Sequence, residues 1–357
     1  MSEAADSATR LPAEWEPHEA TWLAYPHSLS DWPGKLSAVR WAFAEFVRLL
    51  SGGERVRLLV RHAREAERAR SVLRRSGADP DRVELHLVTT DRSWLRDSGP
   101  TFVFREGQLH GVCWAFNAWG RYANWQADRN VGRYVANASG AAVLEPKVNG
   151  RIVVMEGGSV DSNGRGTILA TEQCLLGSGR HARNPGLSRS AVERVLGDSL
   201  GATNVLWLGH GIAGDDTGGH VDTLARFVGR NRVAAIVETD RRDENYAALQ
   251  DNLRRLRGMR DERGRALEVV ELPMPRPLWF DGCRLPASYA NFYVANGTVL
   301  VPTFNDTNDA AALRILRECF PDREVLGVHC VDIALGLGTL HCLAQQQPRS
   351  PERSRGG

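Results

Sequence analysis

Apolar residues in this chain come in short runs, and the runs come in pairs. Thr101 to Arg105 and Leu109 to Trp114 flank Glu106-Gly107; Ile152 to Val160 and Thr167 to Thr171 flank Asn163-Gly164. Val221 to Val228 and Arg232 to Val237 flank Gly229-Arg230-Asn231, and Tyr289 to Ala295 and Thr298 to Pro302 flank Asn296-Gly297. Asn-Gly between apolar runs favours a tight hairpin, because both residues tolerate the left-handed backbone such a turn requires. Hairpins are therefore predicted at all these places, with a further strand at Trp22–Tyr25.

Helical spacing falls between the hairpins. Val39, Phe43, Phe46, Val47 and Leu50 make one stripe, and Val192, Val195, Leu196 and Leu200 another, after a Ser190–Glu193 capping box. Tyr246, Leu249, Leu253 and Leu256 form a third, ended by Gly258, and Leu313, Leu316 and Phe320 a fourth, with Asp306 as its predicted N-cap. Hairpin, helix or loop, then strand recurs at roughly 50–70 residues per unit, a repeat of structure rather than of sequence. Five such units would fill the chain as one closed body, with the Trp22–Tyr25 strand beside the last unit. A two-domain α+β protein is the competing arrangement, since 357 residues correspond to about two domains of ordinary size.

Composition narrows the partners. Lys plus Arg is 45 against 43 for Asp plus Glu, so no overall positive field draws the protein to nucleic acid or to an acidic membrane face. Only Lys35 and Lys147 are lysines, which reads as genome composition. The N-terminal residues hold no apolar signal segment, and no apolar run approaches the roughly 20 residues of a spanning helix. Six scattered cysteines without a Cys-x-x-Cys pair indicate a cytoplasmic protein with free thiols. Residues 1–10 and 348–357 are polar and read as disordered tails around a domain at 11–347, and 258–265 reads as an exposed loop.

Five places join reactive side chains to glycines or turns: Trp94 to Pro100, Glu156 to Ser159, Asp215 to Asp222, Ser288 to Asn291, and Gly336 to Cys342. One per unit is what a central site in a radial fold needs. His220 and Asp222 on a strand would share a face and act in proton transfer. They could equally be a hydrogen-bonded pair, or a metal pair with His210 or Asp216, although the spacing fits no zinc signature. Cys342 follows glycines that let a ligand approach, yet a thiol attacks only with a nearby cation or base, and a lone Cys is most often a small core residue. Asp97, Glu156 and Trp94 each have a plain structural reading as turn, cap and core. The set lacks a phosphate loop and a dinucleotide fingerprint, and paired carboxylates suit a planar cation such as a guanidinium.

These motifs carry a resemblance. The chain resembles the agmatine deiminase family, in the guanidino-group-modifying (pentein) superfamily related to peptidylarginine deiminases. It does so through Pro12-Ala13-Glu14-Trp15-Glu16-Pro17-His18, Arg96-Asp97-Ser98-Gly99-Pro100-Thr101, Phe116-Asn117-Ala118-Trp119-Gly120, Glu156-Gly157-Gly158-Ser159, Gly219-His220-Val221-Asp222, Tyr289-Ala290-Asn291-Phe292-Tyr293 and His341-Cys342. The resemblance implies an α/β fold, a five-bladed α/β propeller of ββαβ repeats. It implies Cys342 as nucleophile, His220 as general acid and base, and Asp97 and Asp222 as guanidinium ligands. Glu156 would support the His, and Trp94 would pack beside the substrate. Asp216 is the candidate for the distal amine. The implied reaction is hydrolysis of agmatine to N-carbamoylputrescine and ammonia, with no metal and no organic cofactor. The expected partner is a small cationic guanidine, and a homo-oligomer is left open. The rival readings are a deiminase of arginine, peptidyl arginine or another guanidine, a metal-dependent hydrolase, and a non-catalytic cation-binding propeller. Gly336-Leu337-Gly338 replaces the family's longer glycine run, Gly218 stands where Asn is common, and the segment after Gly120 is short. All three departures bear on the substrate's tail.

Overall fold

Every predicted hairpin is present, and each continues into a third strand that runs parallel to its second. The computed structural model describes residues 9–179 and 181–350. In the first blade Thr101–Arg105 pairs antiparallel with Gln108–Val112, which pairs parallel with Ala142–Leu144. The second joins Val160–Ser162, Thr167–Thr171 and Asn204–Leu208 in the same pattern. The third joins Ala225–Gly229, Arg232–Val237 and Glu268–Pro273, and the fourth Tyr293–Val294, Thr298–Thr303 and Glu324–His329. A parallel neighbour needs a crossover connection. The helices Val131–Ala138, Arg189–Leu200, Tyr246–Gly258 and Asp309–Cys319 supply it, each burying its apolar stripe.

The fifth blade is made from both ends of the chain. Ala344–Pro348 lies antiparallel to His18–Ala24, which continues parallel to Arg55–Val60 and Val83–Leu87 through the helices Leu36–Gly53 and Ala63–Ser76. This pairing joins the last blade to the first strand, as the Trp22–Tyr25 prediction anticipated. The result is a five-bladed α/β propeller. The ends are tied in further than expected. Arg10 exchanges two backbone hydrogen bonds with Phe104, Pro348 pairs with His18, and Arg349 N–H donates to Pro17 O. Residues 1–8 and 351–357 of the expected tails lie outside the described residues. The 258–265 segment, which begins on the final helical residue Gly258, is largely exposed, apart from the half-buried Met259 and Glu262 and the buried Asp261.

Three helix boundaries differ from the sequence reading. Ser188, not Ser190, caps its helix by accepting from Ala191 N–H at 3.2 Å. Gly258 is the last helical residue, with Met259 as cap. Asn308, not Asp306, precedes the Asp309–Cys319 helix, because the Asp309 carboxylate turns back to take the Phe304 and Asp306 amides. Among the described residues no helix is long and apolar enough to cross a membrane.

Candidate active site

Three of the predicted strands start later than their apolar runs. Ile152 to Val160 is a strand only at Val160–Ser162 and in a small ribbon at Arg151–Ile152; Val221–Thr223 and Tyr289–Asn291 are short 3₁₀ turns. The reason is local. Leu224 N–H closes onto Val221 O at 2.9 Å and Ser159 N–H onto Glu156 O at 3.1 Å, so the chain curls before the ladder begins. His220 and Asp222 therefore do not share a strand face. They flank and occupy a turn, and both side chains are buried on it.

The same device occurs in each blade. Leu95–Ser98, Gly157–Ser159, Val221–Thr223, Tyr289–Asn291 and Leu340–Leu343 are helical turns, each just before the first strand of its hairpin. Each packs on the next, and the last packs on the first, so the turns close a ring. They carry Asp97, Glu156, His220 with Asp222, Asn291, and Cys342. These residues are far apart in sequence, yet all are buried, at 6% exposure or less.

Their contacts define two sides. Cys342 Sγ lies 3.6 Å from Asp222 Oδ2 and accepts from Asn291 Nδ2 at 3.3 Å. Asn291 is itself held, since Thr339 Oγ1 donates to its Oδ1 at 2.7 Å. Opposite, His220 Nε2 faces Glu156 Oε2 at 3.3 Å and His220 Nδ1 faces Asp97 Oδ1 at 3.8 Å. Trp119 Nε1–H donates to Asp97 Oδ2 at 2.9 Å. Arg183 Nε–H donates to Glu156 Oε1 at 2.8 Å, and His341 Nδ1 meets Asp222 Oδ2 at 2.7 Å. His220 Nδ1 and Asp222 Oδ1 are buried without a hydrogen-bond partner.

Gly158 sits at the centre of this arrangement. A Cβ on it would stand 2.6 Å from His220 Nδ1 and 3.0 Å from both Asp222 Oδ2 and Asp97 Oδ1. Gly338 does the same for the aromatic wall: its Cβ would lie 2.8 Å from the Trp94 ring and 3.2 Å from Cys342 Sγ. The glycines thus let Trp94 pack against the nucleophile's turn. Leu337, between Gly336 and Gly338, holds a left-handed φ of 69°, a conformation that disfavours a Cβ by about 1–2 kcal/mol. It lines a cavity of about 390 Å³ with Asp31, Arg92, Tyr122 and Asn124.

The charges are unevenly matched. Burial works to raise Glu156, but Arg183 and His220 hold it below the usual carboxylate range. Asp222 is likewise lowered against burial, by His341 first. Asp97 has only His220, 3.8 Å away, as a cation to lower it, and burial with the nearby Asp222 and Glu156 outweighs this and lifts it to about 7. Burial also drives Cys342 well above the ordinary thiol range, and Asp222 and Asp97 add to it. Burial depresses His220, but Asp97, Cys174 and Glu156 outweigh it, so the ring is held in its protonated form. The site is short of one positive charge next to Asp97, Asp222 and Cys342, and a guanidinium supplies it together with a fork of N–H donors.

Cys342, His220, Asp97, Asp222 and Glu156 are thus brought together, with Trp94 beside them. Asp216 stands apart on the loop leading to His220, where Tyr122 Oη–H donates to it. His210 is exposed, so the metal set expected of His220 with His210 or Asp216 is not assembled. Sequence reasoning missed Arg183, Trp119 and His341 as supports. Trp119 and His341 lay within quoted motifs, whereas Arg183 follows a glycine-containing loop with no pattern of its own.

The profile of the Porphyromonas-type peptidyl-arginine deiminase family matches residues 10–348. An agmatine deiminase of Pseudomonas aeruginosa is 37% identical over 365 residues, 95% of each chain. The solved agmatine deiminase of Enterococcus faecalis superposes with a TM-score of 0.87 at 32% identity, covering 98% of this chain and 100% of that one. An amidinotransferase from Microseira wollei, at 14% identity and a TM-score of 0.54 over 98% of each chain, shares the fold alone.

Proposed function

We propose a function from a plain premise: this chain belongs to the Porphyromonas-type peptidyl-arginine deiminase family, matched over residues 10–348. It is a guanidino hydrolase that converts agmatine to N-carbamoylputrescine and ammonia. The observation that carries the reading is the unpaired edge of the site: His220 Nδ1 and Asp222 Oδ1, both buried and unpartnered, around Gly158 and next to Cys342.

In this reading Asp97 and Asp222 take the guanidinium N–H groups and hold its plane against Trp94. The cation offsets the carboxylates that keep Cys342 protonated, so the thiol releases its proton to solvent as the substrate binds and the thiolate forms where it is needed. Cys342 Sγ bonds to the central carbon, giving a tetrahedral adduct. His220 Nδ1 gives its proton to the departing nitrogen, the C–N bond breaks, and ammonia leaves an amidino-cysteine behind. The now neutral His220 takes a proton from water as the hydroxyl adds to the same carbon. The C–S bond then breaks, releasing the ureido product and the thiol. Glu156, anchored by Arg183, keeps the ring oriented through both proton transfers.

Asp216 is the proposed partner of the substrate's distal amine. Arg92 near it is already committed to Asp31 at 2.8 Å and to the Tyr122 ring face, which leaves it poorly placed to receive the carboxylate of free arginine. The six cysteines among the described residues are free thiols, in keeping with a cytoplasmic setting. The test is ammonia release from agmatine, arginine and a peptidyl arginine under one assay. Turnover of agmatine well above the others, abolished in Cys342→Ala, is expected. Full activity in that variant would sink the thiol mechanism.

A further inference from the structure

The buried acid–base pair has a third neighbour that this chemistry leaves unused. Cys174 Sγ, a ring nitrogen of His220 and a carboxylate oxygen of Glu156 all lie within 4.8 Å of one another. All three side chains are buried. Cys174 comes from the short helix Glu172–Leu175 of another segment, where Thr171 Oγ1 accepts its backbone N–H at 3.2 Å and fixes its position. The ring nitrogen nearest Glu156 is Nε2, at 3.3 Å, so the trio lies on the edge of the imidazole away from the unpartnered Nδ1.

A thiol, an imidazole and a carboxylate are the donor set of a borderline-soft divalent ion. Arg183 Nε–H holds both Glu156 oxygens, Oε1 at 2.8 Å and Oε2 at 3.1 Å, and with Oε2 given up to the ion its bond to Oε1 is the kind of outer contact that orients a ligating carboxylate. Zinc binds sulfur at about 2.3 Å and nitrogen or oxygen at about 2.0–2.2 Å, so the three donors must close by up to about an ångström around it. We propose that Cys174, His220 and Glu156 form an inhibitory site for a zinc-class divalent ion. Binding displaces one proton from the Cys174 thiol and one from His220 Nε2. The hydrogen on Nδ1 stays, but on a neutral metal-bound ring it is a far weaker acid, so the imidazolium acid is lost while Cys342, Asp97 and Asp222 stay free to hold substrate. The inhibition rests on the proposed deiminase function; the metal binding does not.

Co²⁺, titrated into metal-free protein, is the probe of binding. One equivalent is expected to produce a near-ultraviolet thiolate-to-cobalt band that persists in Cys342→Ala and is absent in Cys174→Ala. A band that survives Cys174→Ala and disappears in Cys342→Ala, or no band in the unaltered protein, overturns the site. Should Cys174→Ala fail to fold, Cys174→Ser removes the sulfur at nearly constant volume and gives the same reading. Zn²⁺ is expected to lower kcat for agmatine with KM unchanged, and Cys174→Ser is expected to be at least tenfold less sensitive relative to its own metal-free rate. Equal sensitivity in that variant overturns the inhibitory role.

Discussion

His341 Nδ1 stands 2.7 Å from Asp222 Oδ2, and this contact sets the charge of the carboxylate beside the nucleophile. The other ring nitrogen of His341 lies 2.8 Å from Glu14 Oε2. Burial opposes ionisation of Glu14, but Arg226, His341 and Arg96 hold it well below the usual range, and Asp222 is lowered too. Both ring nitrogens of His341 are thereby engaged by carboxylate oxygens, one on Asp222 and one on Glu14. The ring occupies Asp222 Oδ2 and leaves Oδ1 for substrate.

Replacing that ring should therefore act on binding and on pH together, because its hydrogen bond is the first of the contacts that lower Asp222. In His341→Gln, Asp222 loses its main compensation, and its protonation moves up toward the working range. KM for agmatine is expected to rise by about tenfold or more, and the acidic limb of kcat/KM to shift to higher pH. A uniform fall in kcat with an unmoved pH profile would reduce His341 to a packing residue.

Asp97 gives a prediction about stability. Its folded value of about 7 lies above the unfolded value, so the folded state binds the extra proton between about pH 4 and pH 7. The stability this proton contributes is complete below about pH 4 and is lost as pH rises through about 7. Asp97→Asn removes the penalty at high pH. Its Tm is expected to exceed that of the unaltered protein at pH 8 and to converge with it near pH 4, while kcat/KM for agmatine falls by about 100-fold or more. Parallel Tm curves across that range would contradict the assignment of the shift to Asp97.

Gly158 tests the position of the substrate without replacing a reactive group. Its φ lies outside the left-handed region, so alanine strains no backbone, but the added methyl would sit 2.6 Å from His220 Nδ1. The methyl intrudes where the guanidinium must lie. Gly158→Ala is expected to fold with an unchanged circular dichroism spectrum and to lose about 100-fold or more in kcat/KM. Retained activity would place the substrate elsewhere.

The propeller was legible because hairpin turns and helical stripes are local signals, and both recur in each unit. The site was half legible. His220, Asp222 and Cys342 stood out as reactive types beside glycines, and the family motifs tied them together. Their geometry was hidden, because apolar alternation through Val221 to Val228 reads as one strand, whereas a 3₁₀ turn precedes it. Alternation reports burial on two faces; a turn buried in the ring's centre shows the same burial without the ladder. Arg183 was beyond reach for a different reason. Its role comes from a loop crossing to Glu156, a long-range contact that no periodicity encodes.

Asp216 bears on the substrate's tail. Burial and Asp215 raise it, and the Tyr122 hydrogen bond only partly offsets them, so a distal ammonium would be a favourable partner. Asp216→Asn is expected to raise KM for agmatine with kcat nearly unchanged. It should also narrow the preference for agmatine over n-butylguanidine, which lacks the amine. If both guanidines weaken equally, the amine is read by another group.

The state of Cys342 decides when the nucleophile is made. Burial lifts its thiol well above the ordinary range, and the adjacent Asp222 and Asp97 add their negative charge. A neutral alkylating agent brings nothing to change this, so iodoacetamide should modify Cys342 slowly near pH 7, more slowly than the exposed Cys283 in the same sample. An agent carrying an amidinium brings the missing cation to the two carboxylates, which lowers the cost of the thiolate at the moment of attack. 2-Chloroacetamidine is therefore expected to reverse the order, with Cys342 labelled first and agmatine protecting it, as read by peptide mass spectrometry. The reversal separates two designs that the distances alone do not. A preformed thiolate reacts quickly with both reagents, whereas a thiol ionised by its own substrate reacts quickly only with the cation. Rapid labelling of Cys342 by iodoacetamide near pH 7 would assign the first design to this enzyme.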